Sequence, residues 1–284
     1  MNDLSIIIVN TNNHKILEEC LGSIHKNTHK ISFEIILIDN ASTDGSQDMV
    51  RMKFPRVNLI QNTENAGFIR ASNQGLRIYR GRHAILLNDD TVVKDGALDK
   101  MVKFMDEHPE AGACGPKLLN TDGTPQRQGG LFAGKFWLTD KPKEVDFIIG
   151  AALLARREVI EKVGLLDEKL FFYNDDLDWC KRIRKAGFKI YFLPLAEIVH
   201  YGGYSSKRIF NRRLFVEGFK GGLYYCRKHY GIIIYSVYRF MLFLSILIYL
   251  PFFLLSFFFK REKFADRFLA YLDILKLTLF PDNN

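Results

Sequence analysis

The first 120 residues alternate short apolar runs with stretches of helical periodicity, and this alternation restricts the fold more than any other feature of the 284-residue chain. "LSIIIVN" has the pattern of a strand, after which Ile16, Leu17, Cys20, Leu21 and Ile24 share one helical face. "FEIILIDN" is a second strand, and Met49, Val50 and Phe54 mark the next helix. "RVNLI" is a third, before a helical stretch over residues 68–79. "HAILL" is a fourth, followed by Leu98, Met101, Val102 and Met105 along one more helix. Strands separated by helices build a mostly parallel sheet covered on both faces, so the expected class is α/β.

Beyond residue 112 the rhythm changes. "AGACGPKLL" is another strand pattern, "NTDGTPQRQGG" is rich in turn formers, and Phe132, Phe136 and Trp137 punctuate a glycine-bearing stretch. "DFIIGAALLARREVIEKVG" joins an apolar run to a helix that Gly164 is placed to end. "FKIYFLP" is the last strand pattern, and His200 stands seven residues beyond its final leucine, Leu193. Residues 1–206 are therefore expected to form one nucleotide-binding-like domain with a mixed second half, and residues 207–284 a separate region.

That last region holds the charge excess. The chain's formal net charge is +8, yet residues 1–200 balance at 27 basic against 27 acidic, while residues 201–284 carry 13 against 5. Phe240 to Phe259 are twenty uncharged residues, long enough to cross a bilayer core. Lys207, Arg208, Arg212, Arg213, Lys220, Arg227 and Lys228 precede them, with Glu217 the single acid among these. A cationic stretch beside an apolar one suits the anionic cytoplasmic surface of a membrane. With no base-reading motif nearby, it gives no support for a nucleic-acid partner. Lys260, Arg261 and Lys263 make the second flank basic too, so an arrangement that enters and returns on the cytoplasmic face is expected, with Pro251 as the bend. Phe264, Phe268, Leu272 and Leu275 then recur at helical spacing, as in a helix lying along the interface. The four cysteines form no C-x-x-C pair, which fits a reducing compartment and excludes a cysteine-rich zinc site. The apolar run Leu4–Val9 is too short, and lacks the cationic leader, to serve as a secretory signal.

Open α/β sheets bind ligands at the carboxyl ends of their strands. Three of the strand patterns end in polar residues: Asn10 and Thr11, Asp39 and Asn40, and Asn88, Asp89 and Asp90. The first is followed by "NTNNHK", neither a dinucleotide fingerprint nor a P-loop, so a bound nucleotide must be held by side chains. Asp39 suits a base N–H or a ribose hydroxyl, and a turn residue before "ASTDG" equally well. Asn65 suits capping of the next helix, and Gly67 a close backbone approach. The adjacent Asp89 and Asp90 are explained by a strand-end turn or by a divalent cation neutralising a diphosphate. In "FFYNDDLDWCKRIRKAGF", Asn174 is placed to cap a helix whose first turn holds Asp175, Asp176 and Asp178. Such acids suit the helix dipole, and one of them also suits a general base.

Taken together, "SIIIVNTNN", "EIILIDNASTDGS", "NTENAGFIRASNQG", "ILLNDDTVV", "IIGAALLARREVIEKVGLLDEKLFFYNDDLDWCKRIRKAGFKI" and "VHYGGYS" resemble, in order, the family-2 glycosyltransferases of the GT-A fold, most closely their bacterial rhamnosyltransferase-like branch. The resemblance spans residues 4–206. It implies an inverting, metal-dependent transfer from a UDP- or dTDP-linked sugar to a glycan or polyprenyl-diphosphate-linked acceptor, at the cytoplasmic face of the bacterial inner membrane, for O-antigen, capsule or cell-wall synthesis. By the same resemblance, Asn10, Asp39, Asn40, Asn65, Gly67, Asn88 and Asp89 bind the nucleotide sugar. Asp90 and His200 hold Mn2+ or Mg2+, and Asp176, with Asp175 beside it, is the general base. "IIGAALL" lines the acceptor side. Two positions depart from the family pattern: Asn88 stands at the first place of its D-x-D motif, and Asp175 replaces a glutamate. The first departure leaves Asp89 and Asp90 both open as the direct ligand, with Asp90 preferred. The rival reading is a non-catalytic membrane-attached nucleotide-sugar-binding protein of the same fold. A sugar-phosphate nucleotidyltransferase would need a glycine-rich basic loop where "NTNNHK" stands.

Overall fold

The computed structural model of the chain describes residues 2–128, 134–171, 174–202, 211–257 and 261–280. Phe132, Lys207, Arg208, Lys260 and residues 203–205 of the "VHYGGYS" run lie outside the described residues, as do the side chains of Arg261, Lys263 and Phe264. Along the chain run β1 (Leu4–Asn10), α1 (His14–Asn27), β2 (Phe33–Asn40), α2 (Ser46–Lys53), β3 (Asn58–Asn62), α3 (Phe68–Ile78), β4 (His83–Leu87), β5 (Thr91–Val93) and α4 (Ala97–Glu107). There follow β6 (Ala111–Leu119), β7 (Lys143–Glu144), β8 (Ala152–Arg156), α5 (Arg157–Val163), α6 (Asp175–Lys185), β9 (Lys189–His200), α7 (Arg212–Phe257) and α8 (Arg261–Leu279). The chain divides into two compact units, residues 1–168 with 175–204, and residues 169–174 with 205–284.

In the first unit one sheet takes the order β3-β2-β1-β4-β8-β6-β9-β5, with β7 also against β9. The stretch β3-β2-β1-β4 is parallel, as the alternation predicts. The rest is mixed: β8 runs antiparallel to both β4 and β6, and β5 and β7 run antiparallel to β9. Three residues separate β4 from β5, too few for a crossover helix, so β5 turns away and pairs with the end of β9.

Alternate residues of β1 face opposite sides, and both sides are covered. Leu4, Ile6 and Ile8 pack in one apolar cluster with Leu17, Leu21 and Ile24 of α1 and with Leu98 and Met101 of α4. Each such fully buried aliphatic side chain contributes about 2 kcal/mol of transfer free energy. On the other side α3 lies so close that a Cβ on Gly75 would meet Ile7 Cγ2 at 2.6 Å and Ile38 Cδ1 at 3.1 Å. Gly75 thus serves helix–sheet contact.

In the second unit α7 is interrupted at Gly231, whose φ of 78° and ψ of −177° suit glycine and break the helix there. This corrects the expectation of a bend at Pro251, which stays inside the helix. Residues on both sides of Gly231 pack with α8 around Leu223, Tyr235, Leu242, Ile246 and Ile274. The buried stripe of α8 is Ala270, Ile274 and Thr278, one helical turn apart, rather than the stripe containing Phe268 and Leu272. Arg239, an interruption in an otherwise apolar sequence, donates from Nε to Thr278 O at 2.6 Å and from Nη2 to Leu279 O, completing the carbonyl end of α8. Among the described residues α7 is the one helix long and apolar enough to cross a membrane, and 17% of its apolar window is buried.

Candidate active site

The carboxyl ends of β1 and β2 align because Asn10 and Asp39 are register partners, as are Asn40 and Asn62 across β2 and β3. Asn10 Nδ2 donates to Asp39 Oδ1 at 2.9 Å and to Ser42 Oγ at 3.0 Å. Asp39 Oδ2 accepts the Ser42 N–H at 3.0 Å and Gln47 Nε2 at 2.7 Å. Asn40 Oδ1 accepts from Asn62 Nδ2 and from the Ala66 N–H, both at 3.0 Å, while its amide nitrogen donates to Asn65 Oδ1 at 2.9 Å. Asn65 does not cap α3. Gly67 holds the cap position with φ 81° and ψ 161°, a glycine conformation, and Asn65 Oδ1 accepts its N–H at 2.9 Å.

The strand-end carboxylates face different ways. Asp89 Oδ2 accepts Asn13 Nδ2 at 2.9 Å, on the loop after β1. Burial pushes the Asp89 carboxyl up to about 7, against the Asn13 hydrogen bond and with help from the charge of Asp90. Asn13 is the N-cap residue of α1 but makes no cap bond there. Asp44 Oδ2 accepts the first helical N–H, of His14, at 2.8 Å in its place. Asp90 instead approaches His200, Oδ1 to Nε2, at 3.2 Å.

His200 is not beyond the last strand, as the sequence led us to expect, but its final residue. β9 continues past Leu193 through an irregularity at which its pairing with β6 moves from Leu193 to Glu197. Its end then pairs with β5, Thr91 opposite His200, and the Tyr201 N–H reaches Asp90 O at 2.9 Å. Gln126 orients the ring. Its Oε1 is 2.7 Å from His200 Nδ1, while its Nε2 donates to Asn120 Oδ1 and His200 O, so the acceptor end of the amide faces the imidazole. With Nδ1–H donated to Gln126, Nε2 carries a lone pair toward Asp90 and the Asn88 amide, 3.4 Å away. A lone pair facing a carboxylate is reconciled by a proton or by a divalent cation. Among the described residues no group of three or more His, Cys, Asp and Glu gathers as a complete ligand set. A carboxylate and an imidazole fit a cation that takes its other ligands from substrate phosphates and water.

A backbone path joins this corner to Asp176. The Asn88 N–H donates to Ala151 O at 3.0 Å, and the neighbouring Gly150 N–H donates to Asp176 Oδ2 at 3.1 Å. Asp176 Oδ1 also accepts the Leu177 N–H at 2.7 Å. Burial pushes Asp176 up, and pushes Asp175 up to about 7 with the charge of Asp176 adding to it. Asn174 does not cap α6. It has φ 64°, and its side-chain amide donates to Gly218 O at 3.0 Å. Asp178 points elsewhere, pairing with Arg182 at 2.8 Å, whose remaining donors hold Val163 O and Leu165 O. Asn73 is likewise occupied, bonding the backbone of Leu166.

The structure therefore gathers Asn10 with Asp39, Asn40 with Asn65 and Gly67, and Asn88 and Asp90 with His200. Asp89 adjoins through the loop after β1, and Asp176 through Gly150. Ser42, Gln47, Asn13 and Gln126 were missed by sequence reasoning. Gln126 lies in the turn-rich "NTDGTPQRQGG", where nothing local signals a distant histidine.

A sheet of this order, with its polar groups gathered at the strand ends, is that of an α/β protein that takes its ligand there. Residues 5–164 match the profile of Glycosyl transferase family 2, and the chain belongs to that family: it is a glycosyltransferase. It is similar to an N-acetylglucosaminyl-diphospho-decaprenol L-rhamnosyltransferase of Mycobacterium tuberculosis, 29% identical over 228 residues, 68% of this chain and 74% of that protein. It is 26% identical over 186 residues to the dTDP-rhamnosyl transferase RfbF of Shigella flexneri, 62% of each chain. In fold it is similar to the mannosyltransferase PcManGT of Pyrobaculum calidifontis, solved with GDP-Man and Mn2+, at a TM-score of 0.62 and 16% identity, covering 99% of this chain and 88% of that one. The architecture is the mixed α/β, Rossmann-like GT-A fold.

Proposed function

We propose that this enzyme transfers a sugar, with inversion, from a UDP- or dTDP-linked donor to a polyprenyl-diphosphate-linked glycan at the cytoplasmic face of a bacterial plasma membrane, in surface-polysaccharide synthesis. The observation that carries the reading is the backbone path Asn88–Ala151, Gly150–Asp176, which ties a carboxylate with a raised pKa to the corner where Asp90 faces His200. The names of the mycobacterial and Shigella relatives favour rhamnose as the sugar and a lipid diphosphate as the acceptor's anchor.

In this reading Asp39, oriented by Asn10 and Gln47, receives the nucleoside, with Asn40, Asn65 and Gly67 shaping the floor beside it. Asn88 and Asp89 complete the donor side. Asp90 and His200 would hold the divalent cation, Mn2+ or Mg2+, and the chemistry it supplies there is charge neutralisation on the departing diphosphate. Asp176 takes the proton of the acceptor hydroxyl, with Asp175 beside it. The freed oxygen forms the bond to the anomeric carbon as the bond to the diphosphate oxygen breaks, and the nucleoside diphosphate leaves with that electron pair. A single displacement inverts the anomeric centre.

The test is to incubate the purified full chain with Mn2+, a panel of UDP- and dTDP-sugars, and polyprenyl-diphosphate-linked N-acetylglucosamine. Addition of one sugar with the anomeric configuration opposite to the donor's, read by mass and NMR, is the expected result. Retention of configuration, or no transfer from any donor, contradicts it.

A further inference from the structure

The second unit contains a cavity of about 510 Å³ that none of the residues above accounts for. Its lining is two-sided. Lys169, Lys220 and Arg227 bring three cationic side chains against the single acid Glu217, while Phe171 and Tyr235 supply aromatic surface. The volume is that of an ordinary small-ligand site. Its position along α7 is also informative. The cationic contributors precede Gly231, and immediately after it Ile232, Ile233, Ile234, Val237, Phe240 and Met241 are all exposed. On a membrane protein, that change from cationic to exposed apolar surface marks the level of the lipid headgroups. A ligand suited to this cavity has a compact, multiply charged anionic part for the three cations and an apolar part beside the aromatic rings.

We infer that this cavity binds the diphosphate headgroup of the lipid that carries the acceptor glycan. The inference rests on the reading of a lipid-linked acceptor given above and adds to it a site on residues outside the sheet. Phosphate anchorage by Lys220 and Arg227 is reinforced by Lys169, on the chain segment that continues into α6, seven residues before Asp176. The shared chemistry, a diphosphate, is also offered by free pyrophosphate and, more weakly, by any anionic lipid surface.

The experiment measures co-sedimentation of the full chain with zwitterionic vesicles that contain polyprenyl diphosphate, or phosphatidylglycerol at matched charge, with and without inorganic pyrophosphate. The unaltered chain is expected to prefer the polyprenyl diphosphate vesicles by about tenfold. The triple variant Lys169→Gln, Lys220→Gln, Arg227→Gln should lose that preference, and the conservative set Lys169→Arg, Lys220→Arg, Arg227→Lys should retain it, which separates lost charge from lost folding. Equal binding to the two anionic vesicles, or a preference that survives the glutamine set, overturns the inference. Millimolar pyrophosphate, which offers the same diphosphate, should compete that preference away, and a preference that pyrophosphate leaves intact overturns the headgroup assignment. Transfer to a polyprenyl-diphosphate-linked acceptor in detergent tests the underlying reading independently. Transfer with a vesicle preference that survives the glutamine set means that the cavity assignment alone has failed, whereas absence of transfer means that the acceptor reading has.

Discussion

His200 is held from both sides: Gln126 takes its Nδ1–H, and Nε2 is left for Asp90 and whatever joins them. A positioning residue of this kind fixes a ligand's ring and tautomer, and its loss typically weakens metal binding about 10- to 100-fold. Gln126→Ala is therefore expected to weaken Mn2+-dependent donor binding by that factor, measured by titration calorimetry, with the apo fold unchanged by circular dichroism. Unaltered Mn2+ affinity would count against the cation corner. Asp175 supplies a second residue-scale prediction. Its folded pKa of about 7 lies above the ordinary value of 3.8, so the folded state binds the proton more tightly than the unfolded chain does. The stabilisation is complete below the unfolded value and is lost as pH rises through about 7. Asp175→Asn should accordingly raise the denaturation midpoint at pH 8 relative to the parent and change it little at pH 4. Equal effects at both pH values would contradict this.

At the scale of elements, two junctions hold the site's walls. Asp178 is fully buried and pairs with Arg182, which ties α6 to the carbonyls of the loop after α5. Asp178→Ala leaves that guanidinium without its carboxylate and is expected to cost about 3 kcal/mol, read from denaturant unfolding. Gly75→Ala forces a methyl into Ile7 and should cost about 2 kcal/mol by the same measurement. These elements also show what was legible in the sequence. β1, β2 and β4 were readable because strands buried on both faces appear as unbroken apolar runs, and their polar ends located the site. β5 was not read as a strand, since three residues carry no periodicity and its partner, the end of β9, lies more than a hundred positions away. Separation along the chain also hid Gln126 from His200, 74 residues apart, and Gly150 from Asp176, 26 residues apart. The caps assigned to Asn65 and Asn174 failed for a related reason: each side chain is engaged elsewhere, by Asn40 and by Gly218 O.

For the whole molecule, the catalytic sheet and the basic, apolar helices are separate units on one chain, and the proposed acceptor unites their purposes. The exposed apolar residues of α7, among them Ile233 and Ile248, are the surface a bilayer would cover. Ile233→Glu with Ile248→Glu should shift the full chain from the membrane to the soluble fraction, while persistence in the membrane would mean that this face is not what anchors it. In the proposed mechanism, sugar transfer rests on Asp176. Donor affinity and the single-turnover transfer rate should be measured side by side for the parent and Asp176→Asn in the full chain. A fall in rate of about 100- to 10,000-fold with donor affinity unchanged is expected, and an Asp176→Asn enzyme that transfers sugar at the parent's rate would contradict a general-base role for Asp176.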